Sequence, residues 1–251
     1  MNKLEIIQSI KNTRVKEWKK LLTKKGREQS GKYIVEGHHL VEAAIHNQSV
    51  IEIIVEEHID VTNIPVQLPR TGITKEISKL IADTESPQGI YAICKKETID
   101  IDLQTHKRFL LLDRVQDPGN LGTMIRTADA CGIDAIIVGR GSGDVYNPKV
   151  IRSAQGSHFH LPIIHDSLTK WVERLAENDI PVFGSALEHA VDYRTVEPRE
   201  AFACIMGNEG SGMDQALMEK TEKNLYIPIR GKAESLNVAV ACGILLYHLQ
   251  K

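Results

Sequence analysis

Residues 113–126 read DRVQDPGNLGTMIR, and the segments on either side of them predict buried strands. Residues 109–112 form a short apolar run, and residues 135–138 form another. Between the two runs, apolar residues recur at helical spacing from Leu121 to Ala128. Because strand, helix and strand in succession are typical of a parallel sheet, we expect an α/β fold.

The turn before this helix, residues 117–120, reads DPGN and predicts a tight connection. We expect Asn120 to cap the helix and Gly132 to end it. Arg126 falls about two turns into the helix, among apolar neighbours. A buried or half-buried guanidinium there needs a carboxylate or phosphate partner.

The composition is that of a globular protein with one large domain or two modest ones. The chain has 251 residues, 42% hydrophobic and 25% charged, with a net charge of −2. We expect a cytoplasmic protein, since no apolar run approaches the roughly 18 residues of a membrane helix and the N-terminus has no export core. The histidines and isolated cysteines lack metal-ligand spacing, so we expect no metal site and buried thiols. The cysteines are Cys94, Cys131, Cys204 and Cys242.

Residues 1–32 contain ten basic and three acidic residues, a net charge of +7 that leaves −9 for the remainder. A basic leading segment on an acidic body indicates either contact with RNA or DNA or a solvated helix face. The front third also predicts a small α/β domain over residues 1–98, followed by a polar connector. Its predicted helices are 12–22, 38–47 and 73–82, with Gly26 and Gly31 as breaks, and its predicted strands are 33–37, 51–56 and 89–93.

The remainder of the chain predicts a second α/β domain in which strands alternate with helices. The predicted strands are 109–113, 135–138, 180–184, 203–207 and 225–229. Ligands in such open sheets bind beyond the carboxyl ends of the strands. Besides the opening stretch, two strand ends carry polar motifs: residues 206–212 read MGNEGSG, and residues 227–237 read IPIRGKAESLN. Glu209 in the first could pair with Arg126 or favour the start of the next helix.

Ser235 and Asn237 open a final helix, residues 238–249, and taken alone are most simply helix caps. This helix is apolar almost all round, so we expect it to be buried on most sides, either by self-association or as a central helix. The turn at residues 139–143 hints at a dinucleotide site of an oxidoreductase. It lacks the third glycine of that fingerprint, and we expect Pro148 to prevent the following helix.

Three of these segments together resemble the signature motifs of the SpoU/TrmH family of SPOUT RNA methyltransferases. The motifs are residues 117–122 with Arg126, residues 206–212 and residues 227–241. Residues 147–154 also match a segment common in that family. The front domain, with VEG at residues 35–37, resembles the ribosomal-protein-like substrate-binding domain often fused ahead of the catalytic domain.

The resemblance implies a catalytic domain over residues 107–251 with a parallel sheet and a deep trefoil knot, and a homodimer formed through the C-terminal helix. It implies S-adenosylmethionine as the cofactor, bound against backbone in a snug slot. By position, the cofactor contacts fall on Ser185, Gly207, Ile227, Ser235 and Leu236.

The implied reaction is methyl transfer to a ribose 2′-hydroxyl of RNA. We expect large-subunit rRNA first and tRNA second; a non-catalytic RNA-binding protein is the remaining alternative. The implied catalytic residues are Arg126, Asn120, Glu209, Ser235 and Asn237. An arginine is a poor base because its pKa exceeds about 12, so Arg126 would grip a phosphate or stabilise a forming alkoxide. Glu209 would orient Arg126 bidentately, and the other residues would position the ribose and the loops.

Overall fold

A computed structural model describes residues 4–97 and 99–251 of the chain, so residues 1–3, including the basic Lys3, and residue 98 lie outside the described part. The chain forms two compact units. The first contains the described residues up to 97 together with residues 144–159, and the second contains residues 99–143 and 160–251. The catalytic domain implied by the resemblance, residues 107–251, includes residues 144–159. In the structure these residues pack within the first unit.

The described elements follow one another in chain order. Those before residue 98 are β1 (Ile6–Ile7), α1 (Thr13–Lys20), α2 (Lys24–Ser30), β2 (Lys32–Glu36), α3 (His38–His46), β3 (Val50–Glu56), β4 (Arg70–Ile73), α4 (Lys75–Ile81) and β5 (Ile90–Lys95). Those after it are β6 (Arg108–Leu112), α5 (Pro118–Ala130), β7 (Ala135–Val138), α6 (Pro148–Ala154), β8 (Ile163–His165), α7 (Leu168–Ala176), β9 (Val182–Ser185), β10 (Ala190–Asp192), β11 (Phe202–Met206), α8 (Gln215–Met218), β12 (Lys223–Tyr226) and α9 (Val238–Leu249).

The first unit is built on a five-stranded mixed sheet in the order β1-β4-β3-β5-β2. Apolar clusters cover both of its faces, one with α3 and one with α1 and α4. The prediction that Gly26 interrupts the helical region was wrong, since it lies inside α2. Thr23 caps this helix by accepting from the N–H of Gly26 at 3.2 Å, and Gly31 ends it at a φ of +65°.

The second unit contains a seven-stranded parallel sheet in the order β10-β12-β9-β11-β6-β7-β8. The predicted α/β class with a parallel sheet is therefore confirmed. The last predicted strand ends earlier than expected, at Tyr226 instead of residue 229, so residues 227–237 of the third motif form a loop before α9. Helices α5 and α9 pack against each other. The trefoil knot implied by the resemblance stays a prediction.

Two helix starts differ from expectation. Asp117, not Asn120, caps α5: its Oδ1 accepts from the N–H of Asn120 at 2.8 Å. Gly132 follows the helix with a φ of +68°, as expected. The prediction that Pro148 prevents a helix was also wrong, because α6 begins at that residue. Proline is favoured at the first helical position, where its missing N–H would have no helical partner.

Helix α9 begins as predicted, with Asn237 as its cap, and within a single chain it is not buried on all sides. The Asn237 side chain accepts from the N–H groups of Ala239 and Val240 at 2.9 and 3.3 Å. One side of the helix is buried, whereas Val240 and Tyr247 are 52% and 60% exposed. An apolar surface therefore remains on this helix.

All four cysteines are buried and free, as the isolated spacing predicted. Within residues 4–97 and 99–251, no group of three or more His, Cys, Asp or Glu side chains is arranged to hold a metal ion. Over the same residues, no helix has the length and apolar character needed to cross a bilayer.

Candidate active site

Hydrogen bonds join the three motif loops in the second unit. The Asn120 side-chain amide donates to Glu209 Oε1 at 3.3 Å. Asn237 Nδ2 donates to Asn120 Oδ1 at 2.8 Å. Asn120 at the start of α5 thus connects the turn after β11 to the cap of α9. Residues separated by 89 and 117 positions in sequence meet at one point.

Glu209 holds the turn that carries Asn120. Its carboxylate accepts from the backbone N–H groups of Gln116 and Asp117 at 3.3 and 3.1 Å, and from Asn208 Nδ2 at 3.3 Å. Partial burial acts to raise the pKa of Glu209, but the hydrogen bonds from backbone N–H groups and Asn120 outweigh it and lower that pKa. The carboxylate is therefore ionised near neutral pH and stabilises the 116–120 turn.

Arg126 was expected to be buried or half-buried and to pair with Glu209, and the structure shows neither. It is exposed, because it shares the outer stripe of α5 with Thr123 and Ala130 while Met124 and Ile125 face the core. Among the residues that the structure describes, none forms an ion pair or hydrogen bond with its side chain. The expected Glu209–Arg126 pair is absent from these interactions, since Glu209 binds the turn. The guanidinium is free to contact a ligand.

A cleft of about 450 Å³ lies beyond the carboxyl ends of β9, β11 and β12. All five residues that the resemblance assigned to the cofactor line it: Ser185, Gly207, Ile227, Ser235 and Leu236. Glu209 also lines it, so the cleft adjoins the hydrogen bonds that join the motif loops. Ser235, expected to contribute to catalysis as well, lies on this wall and does not cap α9.

The wall formed by residues 227–236 offers free backbone groups. None of its backbone N–H or C=O groups is hydrogen-bonded to another residue within the described part of the chain. Leu187, Met213 and Ile227 supply apolar lining, and Glu188 and Glu234 add carboxylates. Apolar surface suits an adenine, and unpaired backbone groups suit the hydroxyls of a ribose. Carboxylates suit a cationic sulfonium. The residues therefore fit S-adenosylmethionine.

Two of the three glycines in residues 206–212, Gly207 and Gly212, are required by the shape of their turn. A Cβ on Gly207 would lie 2.4 Å from the backbone N of Met213 and 2.5 Å from the carbonyl carbon of Gly212. Gly212 itself has a φ of +68°. Within the turn, Asn208 Oδ1 accepts from the N–H groups of Gly210 and Ser211 at 3.0 and 2.9 Å. The turn folds tightly back on the end of β11.

Arg114 also holds this turn, although the sequence did not single it out. Its Nε and Nη2 donate to the buried carboxylate of Asp113 at 3.0 and 2.9 Å. It also donates to Ser211 Oγ at 3.4 Å and to the carbonyl of Gly212 at 3.3 Å. The hydrogen bond to Asp113 raises the pKa of Arg114 above its ordinary value. We infer that Arg114 ties the end of β6 to the cleft wall.

The backbone of Arg114 is strained. Its φ is +55°, in the left-handed region that residues with a Cβ disfavour. Its carbonyl accepts from Asn208 Nδ2 at 2.8 Å, so the strained conformation presents that oxygen to the second motif. Strain of this kind persists where surrounding contacts compensate it, often at functional sites. In the sequence, the role of Arg114 was indicated by an acidic residue followed by arginine at the end of a predicted strand.

Close packing explains the first glycine of the turn at residues 139–143, which the sequence suggested as a dinucleotide site. A Cβ on Gly139 would lie 2.8 Å from Leu168 Cδ1 and 3.0 Å from the carbonyl oxygen of Leu112. Ser142 Oγ binds the Leu112 carbonyl at 3.1 Å and accepts from the N–H of Val115 at 3.2 Å. These hydrogen bonds attach the loop to the end of β6 and to the segment that follows it.

Comparison with known proteins agrees with this site. The SpoU rRNA Methylase family matches residues 107–247, and the MRM3-like substrate binding domain matches residues 12–92. The chain is 48% identical over 250 residues to the 23S rRNA (guanosine(2553)-2′-O)-methyltransferase RlmP of Bacillus subtilis, covering 97% of this chain and 98% of that protein.

Two solved structures with bound S-adenosylmethionine are also similar. An rRNA methyltransferase from Sinorhizobium meliloti has a TM-score of 0.89 and 29% identity, covering 98% of this chain and 97% of that one. The SpoU methyltransferase AviRb from Streptomyces viridochromogenes has a TM-score of 0.86 and 26% identity, covering 95% and 97%. The similarity spans both units, and the chain belongs to the SpoU rRNA methylase family.

Proposed function

We propose that the chain transfers a methyl group from S-adenosylmethionine to the ribose 2′-oxygen of a guanosine in 23S rRNA. As a family member it is an S-adenosylmethionine-dependent RNA 2′-O-methyltransferase. The observation that carries the proposal is the hydrogen-bonded set Asn120, Glu209 and Asn237 beside a cleft suited to the cofactor. The 48% identity to RlmP favours 23S rRNA over tRNA as the substrate.

The cleft residues bind and orient the cofactor. Ile227 and Leu236 would offer apolar surface to the cofactor, Ser185 and Ser235 would offer hydroxyls, and Gly207 would let backbone approach it closely. When bound, S-adenosylmethionine supplies an electrophilic methyl group on a sulfonium. In-line displacement needs the attacking oxygen aligned behind that methyl group, so positioning supplies much of the rate.

Arg126 acts on the RNA side of the reaction. Its guanidinium stays charged, so it is unsuited to removing the hydroxyl proton. Two roles fit: holding the phosphate next to the target ribose, or stabilising the developing alkoxide. Glu209 contributes indirectly by fixing the turn that presents Asn120, and Asn237 joins that amide to the start of α9.

We further propose a cytoplasmic homodimer. Helix α9 leaves Val240 and Tyr247 exposed. Clustered exposed apolar residues on a helix of this kind are typical of an interface between copies of one chain. The cytoplasmic location follows from the proposed substrate, since ribosomal RNA resides there in bacteria.

The proposal is tested with purified full-length protein and S-adenosylmethionine carrying a labelled methyl group. Unmodified 23S rRNA and total tRNA serve as separate substrates. We expect label in 23S rRNA, recovered after alkaline hydrolysis as an uncleaved dinucleotide, because a 2′-O-methyl group blocks cleavage at that bond. Label that enters tRNA alone, or that sits on a base, would contradict the proposal.

A further inference from the structure

The cleft of about 450 Å³ in the second unit carries a one-sided charge that the residues assigned to the cofactor do not account for. Among its lining residues in the described part of the chain, three are acidic, Glu188, Glu209 and Glu234, and none is lysine, arginine or histidine. The Glu209 carboxylate is already engaged, since it accepts from the N–H groups of Gln116 and Asp117. The carboxylates of Glu188 and Glu234 therefore remain for a ligand.

The protein leaves both of these carboxylates exposed. Within residues 4–97 and 99–251, neither side chain takes part in an ion pair or a hydrogen bond. Two cations, Arg230 and Lys232, lie in the same loop as Glu234, but neither lines the cleft. A hydrogen bond from Arg194 lowers the pKa of Asp192 to about 2, and the charge of Arg230 adds to that shift, so Arg230 lies near Asp192. The negative charge at the cleft is therefore not offset by these two cations.

Both glutamates lie on connections that are anchored at their ends. Glu188 lies between β9 and β10, where the N–H of Ala186 donates to the carbonyl of Leu225 at 3.1 Å and β10 pairs with β12. Glu234 lies three residues before Asn237, which caps α9. Two separate connections thus bring their carboxylates to one cleft. Anchored connections lose less conformational freedom when a side chain is held against a ligand.

Methyl transfer changes the charge at the sulfur atom of the cofactor. S-adenosylmethionine carries a positively charged sulfonium, whereas its product, S-adenosylhomocysteine, carries a neutral thioether. The methyl group bonds to the ribose oxygen, the electron pair of the broken S–C bond stays on sulfur, and the hydroxyl proton passes to solvent. The adenine, the ribose and the amino-acid part are the same in both molecules. A carboxylate near the sulfur therefore attracts the reactant more strongly than the product.

We propose that the carboxylates of Glu188 and Glu234 make the cleft select the cationic cofactor over its neutral product. Attraction between opposite charges extends over several ångströms, so the carboxylates need no direct contact with the sulfur. The preference favours release of S-adenosylhomocysteine after each transfer and limits inhibition by it. The inference goes beyond the proposed function: it rests on S-adenosylmethionine being the cofactor and does not depend on which RNA is methylated.

The test is titration calorimetry of the full-length protein with S-adenosylmethionine, S-adenosylhomocysteine and sinefungin. Sinefungin bears an amine on a carbon that replaces the methylated sulfur, so it is cationic there and transfers no methyl group. We expect the wild type to bind both cationic ligands about tenfold more tightly than S-adenosylhomocysteine, since each exposed charge pair contributes about twofold to fivefold. Raising the salt concentration from about 0.05 M to about 0.5 M should reduce this preference, because salt screens exposed charges.

Glu188→Gln and Glu234→Gln remove the charge and keep the size and shape of the side chain. Each should lower the ratio of affinities for S-adenosylmethionine and S-adenosylhomocysteine by about twofold to fivefold, and the double variant should remove the preference. The Kd for S-adenosylhomocysteine should stay within about twofold, which shows that the cleft is intact. Glu222→Gln is the matched control, because Glu222 is exposed and precedes β12, at the opposite end of that strand from the cleft. We expect the control to keep the wild-type ratio.

Methyl-transfer assays give a second readout. The carboxylates act on the charged reactant, so their removal weakens its binding without weakening binding of the transition state to the same extent. We expect the double variant to raise KM for S-adenosylmethionine, to leave kcat no lower than that of the wild type, and to be inhibited by S-adenosylhomocysteine at a lower ratio of Ki to KM.

A wild-type affinity ratio in the double variant would overturn the inference. A parallel loss of affinity for both S-adenosylmethionine and S-adenosylhomocysteine would also overturn it, because the carboxylates would then bind the ribose or the amino group that the two ligands share. If the wild type binds these two ligands equally, the inference fails and the proposed function stands. If the wild type binds none of the three ligands, the proposed function fails with it.

Discussion

Replacing Arg114 tests whether a strained residue holds the wall of the proposed cofactor cleft. Two substitutions separate its side chain from its backbone. Arg114→Ala removes the guanidinium and keeps a Cβ at a φ of +55°, whereas Arg114→Gly removes the guanidinium and the strain together. Both variants lose the contacts with Asp113, Ser211 and Gly212.

The structure sets the expected magnitudes. A Cβ in the left-handed region costs about 1–2 kcal/mol, and the extra freedom of glycine in the unfolded chain offsets about 0.5–1 kcal/mol of it. The Gly variant should therefore unfold about 2–4 °C above the Ala variant, the shift that about 1 kcal/mol produces in a chain of this size. Loss of two long hydrogen bonds to the 208–212 turn should weaken cofactor binding by about 1.4 kcal/mol, or tenfold in Kd.

Differential scanning fluorimetry gives the Tm values, and titration calorimetry gives the Kd for S-adenosylmethionine. We expect the Tm order wild type, Gly, Ala, with both variants binding the cofactor about tenfold more weakly than the wild type. Arg114→Lys, which keeps one charge without the bidentate geometry, should give an intermediate Kd. Wild-type cofactor affinity in both the Ala and the Gly variants would refute the idea that Arg114 holds the cleft wall.

Three further results are expected. Arg126→Ala should abolish methyl transfer and leave the Kd for S-adenosylmethionine within about twofold, as measured by calorimetry; transfer near the wild-type rate would remove Arg126 from the mechanism. Hydrogen bonds lower the pKa of Glu209 in the folded protein. Its contribution to stability is therefore complete at pH values above the ordinary glutamate pKa of about 4.3. That contribution is lost as the pH falls through the lower pKa of the folded state. Glu209→Gln should flatten the acid limb of the stability curve and reduce kcat more than cofactor affinity; an unchanged acid limb would show that the carboxylate contributes nothing to folding. Val240→Glu with Tyr247→Glu should convert a dimer to a monomer in light scattering, and an unchanged mass would place the interface elsewhere.

Features set by local sequence were predictable. The apolar runs predicted five of the seven strands of the parallel sheet and missed the short edge strands β8 and β10. The first residue of α9 followed from the capping ability of Asn237. The meeting of the three motif loops followed from the rule that ligands bind beyond the carboxyl ends of parallel strands. These inferences depend on spacing and on backbone chemistry, which the sequence displays directly.

Features set by tertiary contacts were not predictable. Asp117 and Asn120 are both good caps, and only the folded turn shows that Asp117 is the one used. The neighbours of Arg126 in sequence are apolar. Successive residues of an α-helix are rotated by about 100°, so Arg126 faces solvent while Met124 and Ile125 face the core. Glu209 binds backbone N–H groups more than 90 residues away, and such partners carry no signal in the sequence.

A map of 2′-O-methylated riboses shows whether the protein methylates a guanosine of 23S rRNA in cells. Total RNA would be compared between cells with and without the gene, and between deletion cells complemented with the wild type or with Arg126→Ala. We expect one guanosine of 23S rRNA to lose its ribose methyl group on deletion and to regain it only with the wild type. An unchanged map, or full restoration by the Arg126 variant, would contradict that expectation.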